Sequence, residues 1–166
     1  MTFLSTMTTF PEFPDLPEET VLSVNNPSHF DLPVNQKTLE TILQLIQKGE
    51  NVTFQLVELV YVDEKEIVEI NKKYLQRDYV TDIISFNYND DAEPSDSSKK
   101  SIEGTLYCCA PRIEEQSYEM DSDPEQEFYR IFVHGLLHLA GYEDSSADEK
   151  ETMTKLENHY LEQMDN

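Results

Sequence analysis

Between Leu39 and Ile46 the apolar residues fall at Leu39, Ile42, Leu43 and Ile46, the three-and-four spacing of one helix face. The segment VNQKTLETILQLIQKGE, residues 34–50, is therefore expected to be a helix, with Gly49 marking its end. On either side the period changes. TVLSVNN at 20–26 and VTFQLVELVYV at 52–62 are rich in β-branched residues and are expected as strands. Helical spacing returns in DEKEIVEINKKYL at 63–75 through Ile67, Ile70 and Tyr74, and TDIISFNY at 81–88 reads as another strand. NDDAEPSDSSKK at 89–100 has one Ala as its only apolar residue and is expected to be a loop, whereas SIEGTLYCCA at 101–110 is strand-like. Two or three helices follow. One starts at Asp123 with Pro124 in its first turn and runs to about Ala140, where Gly141 supplies a left-handed stop. The last starts near Ser146, whose spacing to Glu149 fits a capping box, and buries Met153, Leu156 and Tyr160.

Pro11, Pro14 and Pro17 break any period in residues 1–20, so the organisation expected is a flexible N-terminal tail at 1–20 and one domain at 21–166. The mixed order of strands and helices predicts an α+β domain, with one small mixed sheet and helices packed on it. A chain of 166 residues can bury a core without staples. The two cysteines, Cys108 and Cys109, are adjacent and cannot tie distant parts of the chain together, which points to a reducing compartment. No signal-like segment opens the chain and no run approaches the roughly 20 apolar residues of a membrane span, so a cytoplasmic location with no membrane contact is expected.

Charge complicates that picture. Twelve Lys and Arg face thirty-four Asp and Glu, a formal net charge of −22. Such a surface repels nucleic acid in general, yet seven of the twelve cations lie between 65 and 112: Lys65, Lys72, Lys73, Arg77, Lys99, Lys100 and Arg112. The acids are densest from Glu114 to Glu127; they read as a solvated face, with a docking site for a basic protein as the other reading.

The chemistry concentrates in HGLLHLAGYED, residues 134–144. On a helix, His134 and His138 share one face and can address one atom. Gly141 lets the chain turn back, and Asp144 brings a carboxylate three residues later. Three such donors with a fourth position left for water are the pattern of a catalytic zinc site. His29 and His159 have no comparable neighbours and read as structural or surface residues. The spacing is also similar to that of metzincin peptidases, but those carry Glu directly after the first His as general base, and Gly135 stands here.

A closer likeness is to the YbeY family of endoribonucleases, whose hallmark is similar to H-G-x-L-H-L-x-G-Y-D-H; His134 to Tyr142 follow it closely. INKKYL ahead of DYVTDIISF resembles the family's N-x-x-Y and T-D-V-L-S-F segment, and EGTLYCC resembles its G-D-I-x-I strand. The likeness covers about 21–161. It implies a single α+β domain with a zincin-like metal-binding helix, one zinc on His134, His138 and Asp144, and cytoplasmic work on 16S rRNA 3′-end maturation and ribosome quality control. The implied partners are rRNA and the small ribosomal subunit, with a basic ribosomal protein at the acidic surface. Three positions depart from the family: Asp144 replaces the usual third His, Thr105 stands where an acid is common, and Leu75 stands where many members have Arg.

The implied chemistry is metal-activated attack of water on a phosphodiester of single-stranded RNA. Arg77 would bind the phosphate in place of the missing arginine, and Glu143 would accept a proton. Two other readings stay open: a non-catalytic ribosome-assembly factor with a structural metal, and a metzincin-like peptidase.

Overall fold

The computed structural model describes residues 21–88 and 100–164. The tail expected at 1–20 and nearly all of the loop expected at 89–100 lie outside the described residues. The elements run β1 (Leu22–Asn25), α1 (Gln36–Glu50), β2 (Val52–Val62), α2 (Glu64–Leu75), β3 (Ile83–Asn87), β4 (Lys100–Cys109), α3 (Ala110–Glu119), α4 (Pro124–Leu139) and α5 (Ala147–Met164). The strands form one mixed sheet in the order β1-β2-β4-β3. β1 and β4 pair parallel with β2, and β3 pairs antiparallel with β4.

Period-2 alternation assigns the two faces of the sheet. Val57, Leu59 and Tyr61 of β2 and Ile102, Leu106 and Cys108 of β4 enter the main core, which α1, α4 and α5 close from one side. A register irregularity between Phe54 and Leu56 lets Val52 and Phe54 join the same face. On the other face Val62, Ile84 and Cys109 pack with Ile67 of α2 in a smaller cluster. The adjacent cysteines thus point to opposite sides of the sheet, and both are free thiols.

Local chemistry explains most boundaries. Asp63 caps α2 in a reciprocal box with Glu66. Asp123 accepts from Glu125 N–H at the start of α4, and Ser146 Oγ accepts from Glu149 N–H at the start of α5. Three helices follow β4, with α3 starting straight from the strand.

Three expectations need correction. Gly49 does not end α1: the helix runs on to Glu50, and Asn51 takes the left-handed cap at φ 56°. Gly49 has a packing reason instead, since a Cβ there would run into the hydroxyl of Tyr160 on α5. In α2 the buried position after Ile67 is Asn71, while Tyr74 is 53% exposed. In α5, Met153 and Tyr160 are buried as expected, while Leu156 is half-buried and Glu157 takes a core-facing place. Gly141 does adopt a positive φ, 114°.

Candidate functional site

α4 is the central helix, and its sequence is apolar on most sides because it packs on the sheet and beneath α1 and α5. Gly135 is part of that packing: a Cβ there would lie 2.7 Å from Ile83 Cδ1 and 2.9 Å from Leu106 Cδ1. The position after the first histidine therefore faces the sheet, and a long acid there would have no room. His134 and His138 sit one turn apart, on the helix face that borders an open cavity.

Past Leu139 the chain reverses, with Gly141 N–H donating to the His138 carbonyl and Tyr142 N–H to that of Leu137. Tyr142 then anchors the turn, its hydroxyl donating to Glu50 Oε1 at 2.6 Å. That bond pushes the Tyr142 phenol up to about 12, with burial adding to it. The hydroxyl of Tyr160 donates to the other oxygen of Glu50. So held, the turn returns Asp144 to the helix, with Oδ2 3.4 Å from His134 Nε2 and 3.5 Å from His138 Nε2.

The two Nε2 atoms are 3.1 Å apart. Each partner Nδ1 is already a donor. That of His138 faces the Tyr142 carbonyl at 2.9 Å, which can only accept, and that of His134 faces Glu157 Oε2 at 2.7 Å. In the neutral imidazoles both Nε2 atoms are therefore bare lone pairs, converging on a third lone-pair donor from Asp144. Such a cluster is repulsive unless a cation sits among its atoms. Among the described residues, His134, His138 and Asp144 are the one group of this kind, with candidate ligand atoms all within 4.8 Å. The donor set of two imidazoles and a carboxylate suits zinc. Burial alone would depress the His134 pKa; the Glu157 hydrogen bond and charge outweigh it, with Asp144 and Asp82 contributing, and the net shift is upward from 6.5.

The three donors line a cavity of about 490 Å³ whose wall also includes Asn71, Arg77, Tyr79, Asp82 and Glu143. A family model described as Endoribonuclease YbeY matches residues 23–165. The chain belongs to the YbeY family. An Endoribonuclease YbeY of Salinibacter ruber is 33% identical over 149 residues, covering 89% of this chain and 93% of that protein. One of Chlorobium luteolum is 35% identical over 128 residues, covering 77% and 85%. The solution structure of a Thermotoga maritima protein shares the fold at 23% identity and TM-score 0.52, covering 86% of this chain and 88% of that one.

Against this YbeY background the expected site residues divide. His134, His138 and Asp144 come together. Arg77 and Glu143 line the same cavity, both exposed. Arg77 Nη1 reaches Tyr79 Oη at 3.3 Å. Of the other cations, Arg112 is engaged by Glu115 and Glu119 on its own helix, and the side chains of Lys99 and Lys100 fall outside the described residues. His29 is exposed in a turn, and exposed His159 is 2.6 Å from Gln163 Nε2. Thr105, on the sheet face covered in part by α2, is buried; its hydroxyl donates to Glu58 Oε1 at 2.9 Å, so a neighbouring strand supplies a carboxylate there.

Glu157 was missed by sequence reasoning, while Asn71 and Asp82 entered it only inside the N-x-x-Y and T-D-V-L-S-F matches, with no role assigned. Glu157 and Asn71 each interrupt an apolar helix face at a buried position, and that interruption was the readable signal. Asn71 Nδ2 donates to the Tyr79 carbonyl and its own carbonyl accepts from Arg77 N–H, which fixes the segment carrying Arg77. Asp82 lines the cavity and accepts from Gln116 Nε2 at 2.9 Å; its signal in the sequence was its place in the T-D-V-L-S-F match.

Proposed function

We propose that this protein is a zinc-dependent endoribonuclease that cleaves single-stranded RNA in 16S rRNA 3′-end maturation and ribosome quality control in the cytoplasm. Membership of the YbeY family supports the nuclease activity. The observation that carries metal dependence is the convergence of two bare imidazole nitrogens and a carboxylate on the wall of an open cavity. Three protein donors facing open space suit a catalytic ion, whereas a structural zinc is closed by four. Zinc bound there supplies Lewis acidity to the scissile phosphate and its nucleophile. Arg77, on the cavity wall, binds the non-bridging phosphate oxygens. Asp82, held by the Gln116 amide, and Glu143 are the two carboxylates on the cavity wall that this reading assigns to take the proton of the attacking group.

The protein's partners in this reading are rRNA and the small ribosomal subunit, with a basic ribosomal protein on the acidic surface. No helix among the described residues is long and apolar enough to cross a membrane. The test is cleavage of a 3′-extended rRNA precursor by purified protein of measured metal content. Cleavage should stop with chelator, return with zinc and be absent in His138→Ala. Metal-loaded protein that binds the precursor without cutting it would favour the assembly-factor reading instead.

A further inference from the structure

His134 and His138 are oriented by very different means. The Nδ1 of His138 donates to the backbone carbonyl of Tyr142, four residues on, so its orientation is built into the motif itself. The Nδ1 of His134 donates to Glu157 Oε2 at 2.7 Å, a residue 23 positions away on α5. Glu157 is only 7% exposed, among the buried Met153, Tyr160 and Leu161 of the same helix. A carboxylate in that setting needs both oxygens satisfied. Its Oε1 accepts from Arg130 Nη1 at 2.9 Å, and Arg130 Nη2 in turn donates to Asn158 Oδ1 at 2.7 Å. Arg130 and His134 are four apart on α4, so two donors on adjacent turns of one helix address the two oxygens of one side chain on the next.

We propose that Glu157, clamped by Arg130, is the positioning residue of His134: it fixes the imidazole as the Nδ1–H tautomer and aims the bare Nε2 at the metal. This rests on the metal-site reading above. The chemistry is specific to a carboxylate. A glutamine could still accept from His134 through its carbonyl oxygen, but its amide protons would then face the guanidinium. An apolar residue would leave the His134 Nδ1–H without its partner and Arg130 with Asn158 alone, and free the ring to take the other tautomer, in which Nε2 carries a proton and cannot ligate. The C-terminal helix, which contributes no candidate ligand, thereby controls ligand quality at the site.

The experiment compares wild type, Glu157→Ala, Glu157→Gln, Arg130→Met and the Glu157→Ala/Arg130→Met double variant. Nitrogen NMR of the metal-free proteins, at a pH where both imidazoles are neutral, reads each tautomer directly. Competition with a chromophoric chelator reads zinc affinity, and circular dichroism checks the fold. Wild type should hold both histidines as Nδ1–H. Glu157→Ala should release His134 into mixed tautomers, leave His138 unchanged and lose about 10–100-fold in zinc affinity. Glu157→Gln should keep the tautomer and recover part of that loss. Arg130→Met should weaken zinc binding in the wild-type background and add little in Glu157→Ala, the signature of a shared path. A folded Glu157→Ala with an unchanged His134 tautomer and unchanged zinc affinity would overturn the proposal. Wild-type protein that binds no zinc would instead sink the metal reading and with it the role assigned to the pair, an outcome told apart because the wild-type measurement alone shows it.

Discussion

Asp144 is the residue that sets this candidate metal site apart from the resembled hallmark, bringing a carboxylate where that pattern ends in histidine. It arrives on a turn pinned by Tyr142 and Glu50 and is 39% exposed, so removing it should leave the fold intact. Zinc at a hundredfold over its dissociation constant should stabilise wild type by about 2.7 kcal/mol, raising the melting temperature by roughly 5–10 °C. Asp144→Ala should lose most of that shift in thermal melts, and Asp144→His should keep or increase it. Equal melting of wild type and Asp144→Ala, with and without zinc, would remove Asp144 from the ligand set. Acid should act through His134. Its pKa is raised in the fold above 6.5, so the metal-free protein gains stability that is complete below that unfolded value and is lost as pH rises through the folded one. Zinc runs the other way, because it competes with that proton: affinity should fall as pH drops through the raised value. Chelator competition across pH should place that midpoint above the titration of free imidazole; a midpoint below it would contradict the assignment.

At the scale of elements, the site depends on how closely α4 lies on β3 and β4. Asn87 at the end of β3 donates to the Leu139 carbonyl, tying the strand to the last turn of the helix that carries both histidines. Gly104 in β4 allows the approach, since a Cβ there would be 2.6 Å from the Phe86 carbonyl oxygen and 2.7 Å from Leu139 Cδ2. Backbone on one side and a buried leucine on the other leave little freedom to yield. Gly104→Ala should therefore destabilise the metal-free protein by about 1–3 kcal/mol in urea unfolding, the range of an overpacked core. It should also weaken zinc binding, because the end of α4 moves with Leu139. A neutral effect on both would show that β4 and α4 can separate without disturbing the histidines.

For the whole molecule, charge poses the central problem, since −22 opposes any polyanionic substrate. The cavity wall carries Arg77, and Lys72 and Lys73 occupy the last turn of the helix leading to it. Arg112 is held by two glutamates and lies outside this set. Reversing Lys72, Lys73 and Arg77 together should weaken single-stranded RNA binding and flatten its salt dependence by about 0.7 per lost phosphate contact. Reversing Arg112 should do neither, and titrations at several salt concentrations separate the two. The same molecule should leave casein intact when loaded with zinc, because Gly135 packs on the sheet where a peptidase has its base. Proteolysis that a chelator abolishes would reverse that conclusion.

Periodicity and spacing by themselves determined the helices and strands from Leu22 to Tyr160 apart from α3, the α+β class, and the grouping of His134, His138 and Asp144. Each of these is written locally: apolar spacing follows from helix or strand geometry, and a turn of helix puts two histidines side by side whatever else the chain does. What sits across space was decided only by the tertiary structure. Glu157 reads as an ordinary helix acid until α5 packs on α4, and Asp82 as a strand residue until β3 borders the cavity. Gly49 reads as a helix stop until Tyr160 fills the room beside it. Clustered cations read as one patch until two carboxylates on α3 engage Arg112. Partnership between residues far apart in the chain depends on packing, and packing is a property of the folded whole.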